Sequence, residues 1–249
     1  MSCVVAFKWT FNPHDAVVGP DGSIDWSRAK PALSDYDGVA IAYAVSLAQA
    51  CGGSAVGVSV GTAAVGTSLA KKSVLSRGLD KAVVVADDAT AAWNPTEVGA
   101  ALGELVKHVA DARLVITGDS SVDEGAKLMP ALIAGALGWP CFEDVSAISV
   151  EGEHTTLRQS SRTITVTGPL VVSVTPDAMA VKVPGMKDIL QAGKKPLEIV
   201  QLAGTGAEAG AANLLGREKP QQAVRSAQIF EGDDAVSHVV AVLREQGLV

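Results

Sequence analysis

The chain has 249 residues, of which 48% are apolar and only 4% aromatic, so a sizeable interior must be built from Val, Ala, Leu and Ile rather than from rings, as in a parallel sheet covered on both faces. A formal charge of −7 and a pI near 5.1 repel phosphate backbones, and no run of Lys and Arg offsets them, so nucleic acid is excluded as an expected partner. No segment reaches the ~18 uninterrupted apolar residues of a membrane span, the start "MSCVVAFKWTF" lacks the pattern of a signal peptide, and Cys3, Cys51 and Cys141 contain no CxxC; a cytoplasmic protein without membrane insertion, its thiols reduced and buried, is expected.

Four short β-branched runs recur along the first half: "CVVAF" from Cys3, "AVGVSV" from Ala55, "KAVVVA" from Lys81 and "RLVIT" from Arg113. Each is too short for a buried helix and too apolar for a half-exposed strand. Between them, residues 36–50, 62–76, 95–110 and 125–137 place apolar side chains at spacings of three and four. Strand then helix, repeated four times, predicts crossover connections and a parallel sheet. The third helix carries its own start signal, since Asn94 can cap, Pro95 fits the first turn and Glu97 stands three residues after the cap. In the fourth, Leu128, Leu132 and Leu137 share a face, and Ala131, Ala134 and Gly135 are expected to let the helix approach the sheet closely.

From about Glu143 the pattern becomes alternating: "DVSAISV", "HTTLRQSS", "RTITVT" and "PLVVSV", broken at Glu151-Gly152 and Gly168-Pro169. These read as hairpin-connected strands extending the sheet on one side. A short helix from Gly185 and a strand "PLEIV" follow. After Gln201 come about 30 residues without periodicity, too long an irregular segment for a compact domain, and then an amphipathic helix over 233–246. Its stripe of Val236, Val239, Val240 and Leu243 predicts packing on a partner subunit, with folding back on the chain's own sheet as the alternative. The division expected is an α/β domain over 1–200, to which the strand-end residues below add a nucleotide-binding role, and an arm with a helix over 201–249.

Ligands of open α/β sheets lie beyond the carboxyl ends of the strands, beside helix N-termini. The residues there are Ala6 and Lys8 after the first run, Ser59, Val60 and Gly61 after the second, and "TGDSSVDEG" from Thr117 after the fourth. The last offers small residues for backbone approach, the hydroxyls of Ser120 and Ser121, and the carboxylates of Asp119 and Asp123 for ribose hydroxyls. Neither GxGxxG after a strand nor GxxxxGK[ST] is present, and "GTGAEAG" from Gly204 falls in the irregular arm and reads as a loop. His14, His108, His154 and His238 lack metal-ligand spacing. No Ser, Cys or His is set beside an orienting partner; Asp35, Asp37, Asp119 and Asp123 could meet at the strand ends, but cap and turn roles account for them equally well, so no catalytic set is expected.

"GDSSVDEGAKLMPALIAGALGWP" from Gly118 to Pro140 resembles the signature region of electron-transfer flavoprotein β subunits. "DGSIDWSRAKPALSDYD" from Asp21 and "KKSVLSRGLDKAVVV" from Lys71 are similar to the FixA-like branch of that family. The resemblance implies an open, mostly parallel Rossmann-like sheet of the adenine nucleotide α-hydrolase-like kind, extended by antiparallel strands and a C-terminal arm. It further implies a heterodimer whose α subunit holds most contacts to the redox FAD, while this chain carries AMP or, in bifurcating members, a second FAD. The cofactor-binding residues it implies are Ala6, Lys8, Ser34, Val60, Gly61, Gly118, Asp119, Asp123, Gly125, Ala126 and Lys127. "PLVVSVTPDAMAVKVPGMKDILQAGKKP" resembles the partner-recognition segment, which places Met179, Val181, Val183 and Pro184 against a dehydrogenase such as an acyl-CoA dehydrogenase. Where the family has amide and hydroxyl side chains to hold phosphate, this sequence reads Ala126-Lys127-Leu128-Met129-Pro130; Leu128 and Met129 cannot donate, Pro130 lacks an N–H, and Lys127 is left as a point charge. The expected function is an electron carrier subunit without a reaction of its own; the alternatives are a bifurcating subunit using NADH, or an adenine-nucleotide-binding protein of universal-stress type.

Overall fold

The computed structural model describes residues 1–202 and 227–249. It divides into two units, Met1–Leu215 and Gly216–Val249, each described by itself. The first is built on β1 (Ser2–Ala6), whose five residues are all buried. A short excursion follows, with β2 (Trp9–Phe11), β3 (Val17–Val18), β4 (Ile24–Asp25) and β5 (Pro31–Leu33); β2 pairs antiparallel with β5 and β3 with β4. Next come α1 (Asp35–Ala50), β6 (Ser54–Gly61), α2 (Ser68–Leu75), β7 (Lys81–Ala86), α3 (Pro95–Lys107), β8 (Ala112–Gly118) and α4 (Met129–Leu137). The later part holds β9 (Cys141–Val145), β10 (Ala147–Glu151), β11 (His154–Arg158), β12 (Thr163–Thr167), β13 (Leu170–Val174), α5 (Met186–Ala192) and β14 (Leu197–Ile199).

The main sheet runs β14-β7-β6-β1-β8-β13-β9, and every pairing in it is parallel. Alternate side chains serve opposite faces. Cys3 and Val5 join α1 and α2 in one core, whereas Val4 and Ala6 join α3 and α4 in the other. From β1 the chain steps outward through α1 and α2 to β6 and β7, then α3 carries it across the opposite face to β8 on the other flank of β1. The strand order therefore reverses between β1 and β8, and their carboxyl ends form the switch point of the sheet.

Several expectations are corrected. The hairpin strands do not extend the main sheet: β10-β11-β12 form a separate antiparallel sheet, while "PLVVSV" becomes β13, inserted parallel between β8 and β9. Alternation distinguishes a half-covered strand from a buried one, and β13, buried throughout, belonged to the second kind. The helix expected over 62–76 is broken into a 3-10 turn, Ala63–Gly66, and α2, because Thr67 turns its side chain to cap the Ala70 N–H. The helix expected from residue 125 starts at Met129 instead, since Gly125 (φ 63°) and Lys127 (φ 55°) are left-handed and cannot sit in a right-handed helix. Cys51 is exposed rather than buried, although Cys3 and Cys141 have thiols that burial pushes up to about 11.

Close packing of α4 also comes from an unexpected side. Ala131 and Gly135 are exposed, and the near approach is made by Gly99 and Gly103 of α3, where an added Cβ would lie 2.5 Å from Leu132 Cβ and 2.7 Å from Ala136 Cβ. Two glycines four apart thus present one flat stripe to α4. The start of α3 follows the sequence signal: Asn94 accepts from the Thr96 and Glu97 amides while Glu97 accepts from the Asn94 amide. Asn94→Ala is expected to cost about 1 kcal/mol, read as a fall of roughly 2–4 °C in Tm by calorimetry.

In the second unit, α6 (Ala235–Glu245) has no buried residue, with Val236 74% and Val239 45% exposed, and Phe230 stacks on His238 at 5.4 Å. "GTGAEAG" from Gly204 and most of the irregular arm lie outside the described residues. No helix among the described residues is long and apolar enough to cross a membrane.

Candidate functional site

The switch point is held together by one carboxylate. Asp37, in the first turn of α1 and only 5% exposed, accepts the Lys8 backbone N–H at 2.7 Å and so ties the tip of β1 to α1, with Gly118 at the tip of β8 packed beside the same carboxylate. Burial is the largest influence on its carboxyl and pushes it up to about 7, against the lowering effect of the Lys8 and Gly118 amides and the Lys8 charge; Asp123 adds a further push upward. Gly118 is pressed so closely on α1 that a Cβ there would stand 2.8 Å from the carbonyl carbon and oxygen of Tyr36.

Beyond these tips opens a cleft of about 540 Å³, lined by Pro13, His14, Asp35, Tyr36 and the loop from Ser120 to Gly125. Its size falls within the range of small-molecule sites. Three elements converge on it: the excursion after β1, the first turn of α1, and the loop between β8 and α4. Asp123 is the hub. It accepts from Thr10 Oγ1 at 2.9 Å and pairs with Lys8 Nζ at 2.7 Å, with Glu124 3.6 Å from the same ammonium. Burial works to raise the Asp123 carboxyl, but the hydrogen bond and charge of Lys8, with bonds from Ser121 and Thr10, outweigh it and hold the group below the ordinary carboxylate range. Further along, Lys127 Nζ donates to Asp119 Oδ2 at 2.8 Å, and this bond raises the ammonium above its usual value.

The sequence-derived residues do not all meet at the cleft. Asp123 and Gly125 line the cleft. Lys8, Gly118, Asp119 and Lys127 stand behind it, as the struts just described, and Ser34 is the buried N-cap residue of α1, its Oγ without a hydrogen-bond partner. Ala6 is buried at the end of β1, and Ala126 is exposed in the loop. Val60 and Gly61 lie at the tip of β6, outside the lining, where Gly61 faces Val65 of the 3-10 turn. Of the recognition segment, Met179 packs on the first core, Val181 rests against Gly38, Val183 is 83% exposed and Pro184 is half-buried.

Sequence reasoning missed Thr10, Pro13 and Tyr36, and left Asp37 between a strand-end cluster and a cap or turn role. His14, expected to be structural or solvent-facing, is exposed and also lines the cleft. The Pro-His-Asp turn after "WTF" was the available signal, because Asn12 caps it through the His14 amide.

The lining suits a hydroxylated ligand. Carboxylates of Asp123 and Glu124 can accept from sugar hydroxyls, Ser120 and Ser121 can do either, and Tyr36 offers a ring. A phosphate group finds fewer partners: no lysine or arginine is among the described lining residues, which leaves the hydroxyls and His14 as its side-chain donors.

Fold and cleft define the class: a doubly wound α/β protein with a candidate ligand cleft where the strand order reverses. The sequence matches the electron transfer flavoprotein domain family over residues 22–204. That is most of the chain, so the protein belongs to this family of flavin-associated electron carriers, and the universal-stress-type alternative drops out.

Proposed function

We propose that this chain is the β subunit, of FixA-like type, of a heterodimeric electron-transfer flavoprotein. In this reading an α subunit holds the FAD that carries the electrons, taken from a dehydrogenase such as an acyl-CoA dehydrogenase and passed to a downstream acceptor. The chain catalyses no reaction itself. Its residues 1–200 form the nucleotide-binding domain and residues 201–249 embrace the α subunit, in the cytoplasm. The cleft at the β1–β8 switch point holds an adenylate, and the loop around Val181 and Val183 meets the dehydrogenase.

The observation that carries this reading is the convergence of the 118–125 loop, α1 and the Asp37 clamp on one cleft, within a chain matched to the family over residues 22–204. The exposure of Val183 at 83% and Met186 at 74% supports the recognition role, since such side chains on a loop favour a partner over water.

Co-expression with an α subunit of the family tests it. A yellow 1:1 complex with one flavin is expected, and truncation after Leu202 should lower its recovery at least about tenfold, the loss of a major interface. A colourless chain eluting alone in both cases would discard the reading; two flavins per complex would favour the bifurcating alternative.

A further inference from the structure

The cleft is rich in hydrogen-bond acceptors and poor in free positive charge. Asp35, Asp123 and Glu124 line it, and the two lysines nearby are already engaged: Lys8 by Asp123 at 2.7 Å and Glu124 at 3.6 Å, and Lys127 by Asp119 at 2.8 Å. Backbone donors of the loop are partly used as well, since the Glu124 amide bonds Asp123 Oδ1 at 3.0 Å and the Gly125 amide bonds Ser121 O at 3.1 Å. At the start of α4, Leu128 provides no capping side chain and Pro130 has no N–H. A phosphate placed here meets three carboxylates, and His14 is the one lining side chain able to carry positive charge, so a lysine is gained only by breaking an ion pair.

We propose that the cleft selects the nucleoside part of its ligand through hydroxyl groups and draws no affinity from phosphate. Its preferred class is an uncharged adenine nucleoside, and its charge sets it against the pyrophosphate of a second FAD. This rests on the reading of the cleft as an adenylate site. Ribose hydroxyls donate to carboxylates that Lys8 and Thr10 hold in place, whereas a dianion is repelled by the same groups across a few ångströms.

The test is calorimetric titration of adenosine and AMP into the full chain, in the assembly in which it purifies with its redox flavin retained. Adenosine should bind at least as tightly as AMP, and AMP should tighten as salt rises from about 50 to about 500 mM, because salt screens the repulsion. Asp119→Asn frees the Lys127 ammonium, so AMP should tighten about fivefold or more in that variant while adenosine changes less than about twofold. AMP binding tenfold or more tighter than adenosine in the unaltered protein, or AMP weakening with added salt, would overturn the inference and leave the adenylate reading standing (~1.4 kcal/mol per tenfold). An Asp119→Asn variant that binds AMP no better would overturn the charge argument. Absence of binding by either compound would overturn both the inference and the adenylate reading.

Discussion

Replacing Gly118 with valine is expected to destabilise the protein by about 3 kcal/mol or more and to abolish ligand retention in the cleft. Its backbone is not the reason, because Gly118 does not take a left-handed conformation. The obstacle is space: a Cβ at this position lies 2.8 Å from Tyr36 C and O and 2.9 Å from Asp37 Oδ1. Two of those atoms are main chain in the first turn of α1, so relief requires α1 to move away from β8. Such movement stretches the bond from the Lys8 amide to Asp37 and displaces Asp35 and Tyr36 from the cleft wall. Alanine at the same position should cost about 1–3 kcal/mol by the same route. Gly135, in the exposed middle of α4, has nothing within 4 Å of an added Cβ, and Gly135→Ala should stabilise by roughly 0.5–1 kcal/mol. Urea unfolding of the three variants checks the order; a Gly118→Val protein as stable as its parent would show that α1 does not press on β8.

The second large effect is on pH dependence. Asp37 rises from the ordinary 3.8 to about 7 in the folded protein, chiefly because it is buried. Between those values the folded state holds a proton that the unfolded state has released, so stability falls as pH rises. The contribution is fully present below about 3.8 and is lost by the time pH passes about 7. Across that window the loss is on the order of a few kcal/mol. Asp123, held below the ordinary range, acts in the opposite sense: its contribution is present above the ordinary carboxylate value and disappears as pH falls through its own lowered one. Asp37→Asn removes only the first effect. Urea midpoints for the variant should therefore be nearly flat between about pH 5 and pH 8, where those of the unaltered protein decline. Asp37→Ala differs, since it strands the Lys8 amide donor at the switch point at about 1–3 kcal/mol. Parallel pH profiles for the Asn variant and its parent would refute the assignment of the decline to Asp37.

These predictions turn on contacts that a linear reading does not see. Strands β1, β6, β7 and β8 were legible because burial on both faces demands unbroken β-branched runs, and α3 because its capping box is local. Gly118 and Tyr36 are far apart in sequence, and nothing near either residue signals the other. The excursion of β2 to β5 escaped because strands of two or three residues are too short to display a period. That omission hid Thr10, which bonds Asp123, and His14, which lines the cleft, since the excursion brings both there. The loop before α4 looked helical by spacing, yet Lys127 adopts φ 55°. A lysine there carries no glycine-like warning, and its pairing with Asp119 is visible only once the chain is folded. Alternation likewise announced β10, β11 and β12 as half-covered strands without saying which sheet they join.

The stripe of α3 shows the complementary case. Gly99 and Gly103 are present in the sequence at helical spacing, and the inference that small residues permit close approach was sound; it had been attached to α4, whose Gly135 points outward. Both helices contain small residues at compatible spacing, so periodicity could not decide between them. Only the position of Leu132 and Ala136 against the two glycines does so.

The account turns on whether the tips of β1 and β8 hold an adenine compound while the chain is joined to a flavin-bearing subunit. Denaturing the purified assembly and resolving the released small molecules by chromatography measures this most directly. About one flavin and about one separate adenosine or AMP per complex are predicted, as expected for one redox site and one cleft. A chain that purifies alone, releasing neither flavin nor any adenine compound, would contradict it.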